Sequence, residues 1–163
     1  MNVITIALAC LLSAQLAYSQ DHSALAATGT REHSQTVTQI RSAYAAFNRG
    51  DFDAAVAVLS PDIEWTEPPE FPGGGTYHGR EAVKKYLIHS RAGWVEGSSE
   101  TERFIESGNR IVVFVRARFR GKQNPEWHEV ELADVYTIHK GQIVQMRAFA
   151  DRNQALAWAG AAE

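Results

Sequence analysis

Trp127-His128-Glu129-Val130-Glu131-Leu132-Ala133-Asp134-Val135-Tyr136-Thr137-Ile138-His139, continued by Lys140-Gly141 and by Gln142 to Asp151, is the stretch whose reading decides the fold. It reads as two long antiparallel strands joined near Lys140-Gly141. Side chains of a strand alternate between faces, so Val130, Leu132, Asp134, Tyr136 and Ile138 share one face. Four of them are apolar or aromatic and the fifth is a carboxylic acid. An unpaired polar group on such a face costs on the order of 2 to 7 kcal/mol. Asp134 therefore needs a partner or a proton, and it is the first candidate functional residue.

Upstream, Arg110 to Arg120 is rich in Val, Ile and Phe and predicts a strand. A loop over Gly121 to Glu126 lets Arg120 face Trp127. Arg118 then lies opposite Glu129 and Arg116 opposite Glu131, which makes opposite-charge pairs on one face. The other face pairs Ala117 with Val130, Val115 with Leu132 and Val113 with Asp134. A slip of one residue would destroy both patterns at once. The arginine row thus reads as a solvated sheet face, and a net charge of -3 argues against a nucleic-acid surface.

The following turn has two readings. A two-residue turn at Lys140-Gly141 brings Gln145 and Arg147 to the core face, with Arg147 as an ion-pair partner for Asp134. A three-residue turn at His139-Lys140-Gly141, with Gly141 left-handed in a bulge, brings Val144, Met146, Ala148 and Ala150 there. Burial favours the second, which sets Asp134 opposite Met146 with no charged partner. Asp151, three residues before Gln154, makes a capping box for a final short helix to Trp158.

The N-terminal half is helical. Val37, Ile40, Tyr44 and Phe47 recur at helical spacing, with Ser34 as N-cap and Gly50 as the stop. Asp51 caps a second helix through Phe52, Ala55, Val56 and Leu59. Ser60-Pro61-Asp62 reads as a turn, and Ile63, Trp65 and Glu67 alternate on one face of a short strand that Pro68-Pro69 ends. Pro72-Gly73-Gly74-Gly75 reads as a rim loop. Its glycines lack the Gly-Lys-Ser/Thr that a phosphate cradle needs. A third helix enters near Gly79-Arg80-Glu81 and carries Ala82, Val83, Tyr86, Leu87 and Trp94. Gly97 to Ser107 predicts another strand.

The chain has 163 residues and is 45% hydrophobic, enough for one domain with a real core. No apolar run reaches the ~18 residues of a membrane-spanning helix. Val3 to Leu12 is almost entirely apolar, and Ala17-Tyr18-Ser19 supplies small residues for cleavage. Residues 1–19 therefore read as a secretory signal peptide, residues 20–33 as a flexible linker and residues 34–160 as the domain. The expected location is periplasmic or secreted, with no membrane span in the mature form. Cys10 is the only cysteine, so no internal disulfide forms. The histidines at 78, 89, 128 and 139 show no metal-ligand spacing, and no Gly-x-Ser-x-Gly elbow occurs. No metal and no cofactor is expected.

Helices followed by a strongly curved antiparallel sheet define an α+β architecture, a cystatin-like cone wrapped around the N-terminal helices with an internal cavity. Several pieces carry a resemblance. They are Tyr44-Ala45-Ala46-Phe47-Asn48-Arg49-Gly50-Asp51, Ile63-Glu64-Trp65-Thr66-Glu67-Pro68, Tyr77-His78-Gly79-Arg80-Glu81-Ala82-Val83, Ala133-Asp134-Val135-Tyr136 and Gln145-Met146-Arg147-Ala148-Phe149. Together they resemble the nuclear-transport-factor-like cone superfamily, which includes SnoaL-like polyketide cyclases and ketosteroid isomerases. The resemblance to ketosteroid isomerases implies Glu67, before Pro68, as general base and Asp134 as a protonated donor to an enolate oxygen. It departs at the catalytic Tyr of the first helix. Ala43 matches that position, and Tyr44 lies roughly 100° around the helix. The cyclase pattern would point to Asp151, which the register turns outward.

Two functions stay open. One is a cofactor-free isomerase, cyclase or lyase in which Glu67 removes a proton next to a carbonyl and Asp134 stabilises the oxygen. Tyr44, Trp65, Tyr77, Tyr86 and Met146 would wall a site for a small apolar molecule. The other is a non-catalytic ligand-binding or dimerisation module. The resemblance also implies a homodimer through the outer sheet face.

Overall fold

The computed structural model describes residues 34–162, and those from Thr36 onward belong to one compact unit. The expected signal peptide and linker lie outside the described residues. Helix α1 runs through 34–48 and is followed by α2 (Phe52–Val56), β1 (Leu59–Glu67), β2 (Gly75–His78) and α3 (Arg80–Ala92). The long strands β3 (Trp94–Ser107), β4 (Arg110–Gly121), β5 (Trp127–His139) and β6 (Gln142–Phe149) come next, then α4 (Arg152–Ala159). They form one six-stranded sheet in the order β2-β1-β6-β5-β4-β3.

The β4–β5 register is the one the charge and apolar patterns predict: Arg118 faces Glu129, Arg116 faces Glu131 and Val113 faces Asp134. The β5–β6 hairpin differs from both readings of its turn. The turn is the two-residue form, with Lys140 and Gly141 both at positive φ (50° and 73°) and His139 opposite Gln142. That twist suits a tight hairpin. A bulge then skips Val144, since Ile138 faces Ile143 while Thr137 faces Gln145. One extra residue restores the parity the core requires. Met146 and Ala148 are buried as expected, but Asp134 sits opposite Ala148 rather than Met146. Arg147 faces Val135 from the other side of the sheet and is not a partner for Asp134.

Four further corrections concern the first half and the C-terminus. Ser60-Pro61-Asp62 is an irregular part of β1, not a separate turn. The glycine stretch opens directly into β2, a strand the sequence reading missed. Helix α3 stops at Ala92, so Trp94 begins β3 instead of ending the helix. The sheet is also not purely antiparallel: β1 runs parallel to β6, with Trp65 beside Met146. The main core cluster lies between the N-terminal helices and one face, joining Ile40, Val83, Ile63 and Val113. However, Ala155, Leu156 and Ala159 of α4 cover Val112, Phe114, Ala133 and Val135 on the opposite face.

The helix ends and the sheet bend have local causes. Asp51 accepts from Ala54 N, and Asp151 accepts from Asn153 N and Gln154 N, so both predicted caps form. Asn48 ties α1 to β3 through its amide, which donates to Ser99 O at 2.9 Å and accepts from Ser99 N at 2.8 Å. Gly97 (φ +144°) lets β3 cross close over β4; a Cβ there would lie 2.5 Å from Phe119 Cα.

The rest of the outer face is charged. Arg116 pairs with Glu102 at 2.7 Å and with Glu131 at 3.3 Å, and Arg152 with Glu102 at 2.7 Å. Arg118, although opposite Glu129, lies over the Trp127 ring at 4.3 Å. Exposed pairs of this kind are worth about 0 to 1 kcal/mol each.

Candidate active site

Period-two alternation places Ile63, Trp65 and Glu67 on the buried face of β1 and Asp134 and Tyr136 on the buried face of β5. Helix α1 adds Tyr44 and Phe47, and α3 adds Tyr86. Together with Trp65, Glu67, Asp134 and Tyr136 they border a cavity of about 650 Å³ with mostly apolar walls. Glu67 and Asp134 both line it, and each is 7% exposed. The cavity continues along β4 to Phe119, six residues from the Val113 that faces Asp134, a run of roughly 20 Å. At that end Trp94 stacks on Phe119 with centroids 4.7 Å apart and planes 4° apart.

Each acid has its own hydrogen-bond donors. Trp65 Nε1 donates to Glu67 Oε1 at 2.7 Å, and Tyr86 also hydrogen-bonds this carboxyl. The Tyr44 hydroxyl donates to Asp134 Oδ2, and Tyr136 donates to the Tyr44 hydroxyl at 3.3 Å. Tyr44 therefore reaches Asp134 from the helix although it stands one step from the position the resemblance favours. Among the described residues, no cationic side chain pairs with either acid.

The electrostatics follow from this enclosure. Burial is the main cause that pushes Glu67 from 4.5 up to about 8; the nearby Asp134 charge raises it further, and the bonds from Trp65 and Tyr86 oppose the rise. Burial likewise pushes Asp134 from 3.8 up to about 6, with the Tyr44 hydroxyl holding it down. Burial also raises Tyr44 and Tyr136, which stay neutral donors. Between these two values the pair as a whole holds one proton.

Of the expected wall residues, Tyr44, Trp65 and Tyr86 line the cavity. Met146 does not: it is fully buried in the core beside Trp65. Tyr77 stands behind Tyr86, with centroids 4.7 Å apart, and its hydroxyl donates to Gly73 O. The sequence reading did not assign Tyr136, Phe47, Trp94 and Phe119 to the site. Tyr136 was detectable, because it follows Asp134 by two on the same strand face. Phe119 was also detectable, from its parity with Ala117. Asp151 is engaged as a helix cap outside the cavity. Among the described residues no group of three His, Cys, Asp or Glu side chains could hold a metal ion, and no helix is long and apolar enough to cross a membrane.

A curved, unclosed sheet with helices packed inside it is the architecture of the NTF2-like cone. The chain belongs to the SnoaL-like domain family, which matches residues 40–146. It is similar in structure to an NTF2-like protein of unknown function from Burkholderia pseudomallei, at 28% identity over 77% of this chain and 97% of that one (TM-score 0.63). An NTF2-like protein from Burkholderia xenovorans is 32% identical over 76% and 93%, with TM-score 0.59. SalBIII, described as an epoxide hydrolase/cyclase-like enzyme in pyran ring formation in salinomycin, shares the fold at 19% identity, 74% and 94% coverage and TM-score 0.61. No curated protein matches the chain in sequence.

Proposed function

We propose that the protein is a cofactor-independent acid–base catalyst, of isomerase, cyclase or lyase type, acting on a small apolar carbonyl compound. The observation that carries this reading is the pair of carboxyls, Glu67 and Asp134, in one apolar cavity, both pushed up by burial. One carboxyl takes a proton from the carbon beside the carbonyl while the other donates to the carbonyl oxygen, so the pair is proton-neutral over the step. We take Asp134, the acid that burial raises less, as the base and Glu67 as the donor. This exchanges the roles that the resemblance implies. SalBIII shows that the same fold carries cyclase-like enzymes.

A binding module is the second reading. It is favoured by the hydrogen bonds that Trp65 and Tyr44 already give the two acids without any ligand. Hydrogen–deuterium exchange separates the two readings. Small cyclic ketones incubated with the protein in D2O should exchange protons at the carbon beside the carbonyl, as followed by NMR. Exchange no faster than in buffer across a broad panel of such ketones would favour the binding module.

Export and assembly are parts of the same proposal. The apolar run of residues 3–12 and the Ala17-Tyr18-Ser19 site support cleavage after Ser19, and the expected N-terminus of periplasmic material is Gln20. Edman sequencing that returns Met1 from soluble cytoplasmic protein would contradict it. A homodimer through the outer face would meet Arg116, Arg118, Glu129 and Glu131, so its dissociation constant should rise with salt. Sedimentation across ionic strength tests this, and a monomer at every salt and protein concentration would contradict it.

A further inference from the structure

The cavity has a charge imbalance that its walls do not correct. At neutral pH the Glu67–Asp134 pair carries one negative charge, since its protons leave in steps near 6 and near 8. Among the described residues no Lys or Arg lines the cavity, and His89 is the single basic-type side chain there. Asp134 is buried, with Tyr44 on Oδ2; among the described residues Oδ1 accepts no hydrogen bond. Around the acids stand the rings of Tyr44, Trp65, Tyr86 and Tyr136, with Trp65 and Tyr136 in edge contact at 6.4 Å. Aromatic faces attract cations, and buried carboxylates without counter-ions attract them more strongly.

We propose that this cavity is a receptor for an organic ammonium ion, with its positive nitrogen beside Asp134 and Glu67 and its apolar remainder along the aromatic wall toward Trp94 and Phe119. The assignment stands whether or not the acids do chemistry, because it requires binding alone. A carboxylate-bearing ligand is disfavoured by the same charge. The titratable groups facing the acids are Tyr44 from α1, Tyr86 and His89 from α3 and Tyr136 from β5. The strand neighbours Val113 and Ala148 add none. The tyrosines stay neutral over the working range because burial raises them.

Calorimetry with two probes of equal shape tests the proposal. One is benzyl(2-hydroxyethyl)dimethylammonium, which cannot lose its charge. The other is its uncharged isostere, the alcohol with a quaternary carbon in place of nitrogen. The ammonium should bind tighter than the isostere by about tenfold or more at about pH 8.5, and this advantage should vanish at about pH 5, where both acids are protonated. Glu67→Gln should keep the advantage above about pH 6, because Asp134 still ionises. The double variant Glu67→Gln with Asp134→Asn should still bind the isostere and show no advantage at any pH. Equal affinities for the two probes at the higher pH would overturn the proposal. So would an advantage independent of pH, or one that survives in the double variant. Should the double variant lose the isostere as well, the wild-type pH dependence decides alone.

Discussion

Glu67→Gln should stabilise the protein at pH 8, by on the order of 4 kcal/mol relative to its effect at acid pH. The size comes from the rise of the Glu67 carboxyl from 4.5 to about 8 on folding. A carboxyl whose folded value is raised costs nothing below its unfolded value, because it is protonated in both states. The cost accumulates as pH rises from the unfolded value to the folded one. For Glu67 the window runs from about 4.5 to 8, and for Asp134 from about 3.8 to 6. Asp134→Asn should therefore gain on the order of 3 kcal/mol at pH 8. The gains are not additive, since each charge raises the cost of the other. The amide oxygens introduced can still accept from Trp65 and Tyr44, so no donor is stranded. Urea unfolding of wild type and both variants at pH 5 and pH 8 reads the effect. A loss of about 3 to 5 kcal/mol in Asp134→Asn at pH 8 would mean a hidden ion pair and would contradict a buried Asp134 without a cationic partner.

The second large effect is on proton exchange. With one proton on the pair, the rate should follow a bell in pH, with limbs near 6 and 8. Removing the base costs typically 10² to 10⁴ in rate. Asp134→Asn should show the larger loss if Asp134 is the base, and Glu67→Gln a smaller one, because an amide N–H still donates to the oxygen. The reverse ranking would restore Glu67 as the base. Loss of the acid limb in Asp134→Asn and of the alkaline limb in Glu67→Gln should accompany the rate changes. Rates unchanged in both variants would remove the pair from the chemistry.

The central hairpins were legible because two independent patterns agreed. The Arg116–Glu131 charges on one face and the Val115–Leu132 contact on the other leave one register for β4 and β5. Burial of Met146 and Ala148 was legible for the same reason. The bulge at Val144 was not, because a longer turn and a bulge inside the strand give equal parity, and parity is all that hydrophobic alternation records. The parallel pairing of β1 with β6 joins residues some eighty positions apart and leaves no local trace. Strand β2 was hidden by the glycines leading into it.

The site was legible in its charged members and less so in its walls. An acid on an apolar face violates a strong rule, so Asp134 announced itself, and Glu67 followed from its place after Trp65. Aromatic residues satisfy the same rule in the core and in a cavity. Met146 and Tyr77 could not be told from cavity-lining residues such as Trp65 and Tyr86 until the sheet's curvature was known. That the Tyr44 hydroxyl lands on Asp134 is something helix spacing alone does not give.

The most direct test of the central claim is a carbon-13 NMR titration of the Asp and Glu side-chain carboxyls, assigned through Glu67→Gln and Asp134→Asn. The account predicts two carboxyls titrating well above the rest, one with an apparent pKa near 6 and one near 8, the one near 8 moving down in Asp134→Asn because the Asp134 charge that raises it is gone. Glu67 and Asp134 both titrating near their ordinary values of 4.5 and 3.8 would contradict it, and would leave the cavity without a shared proton.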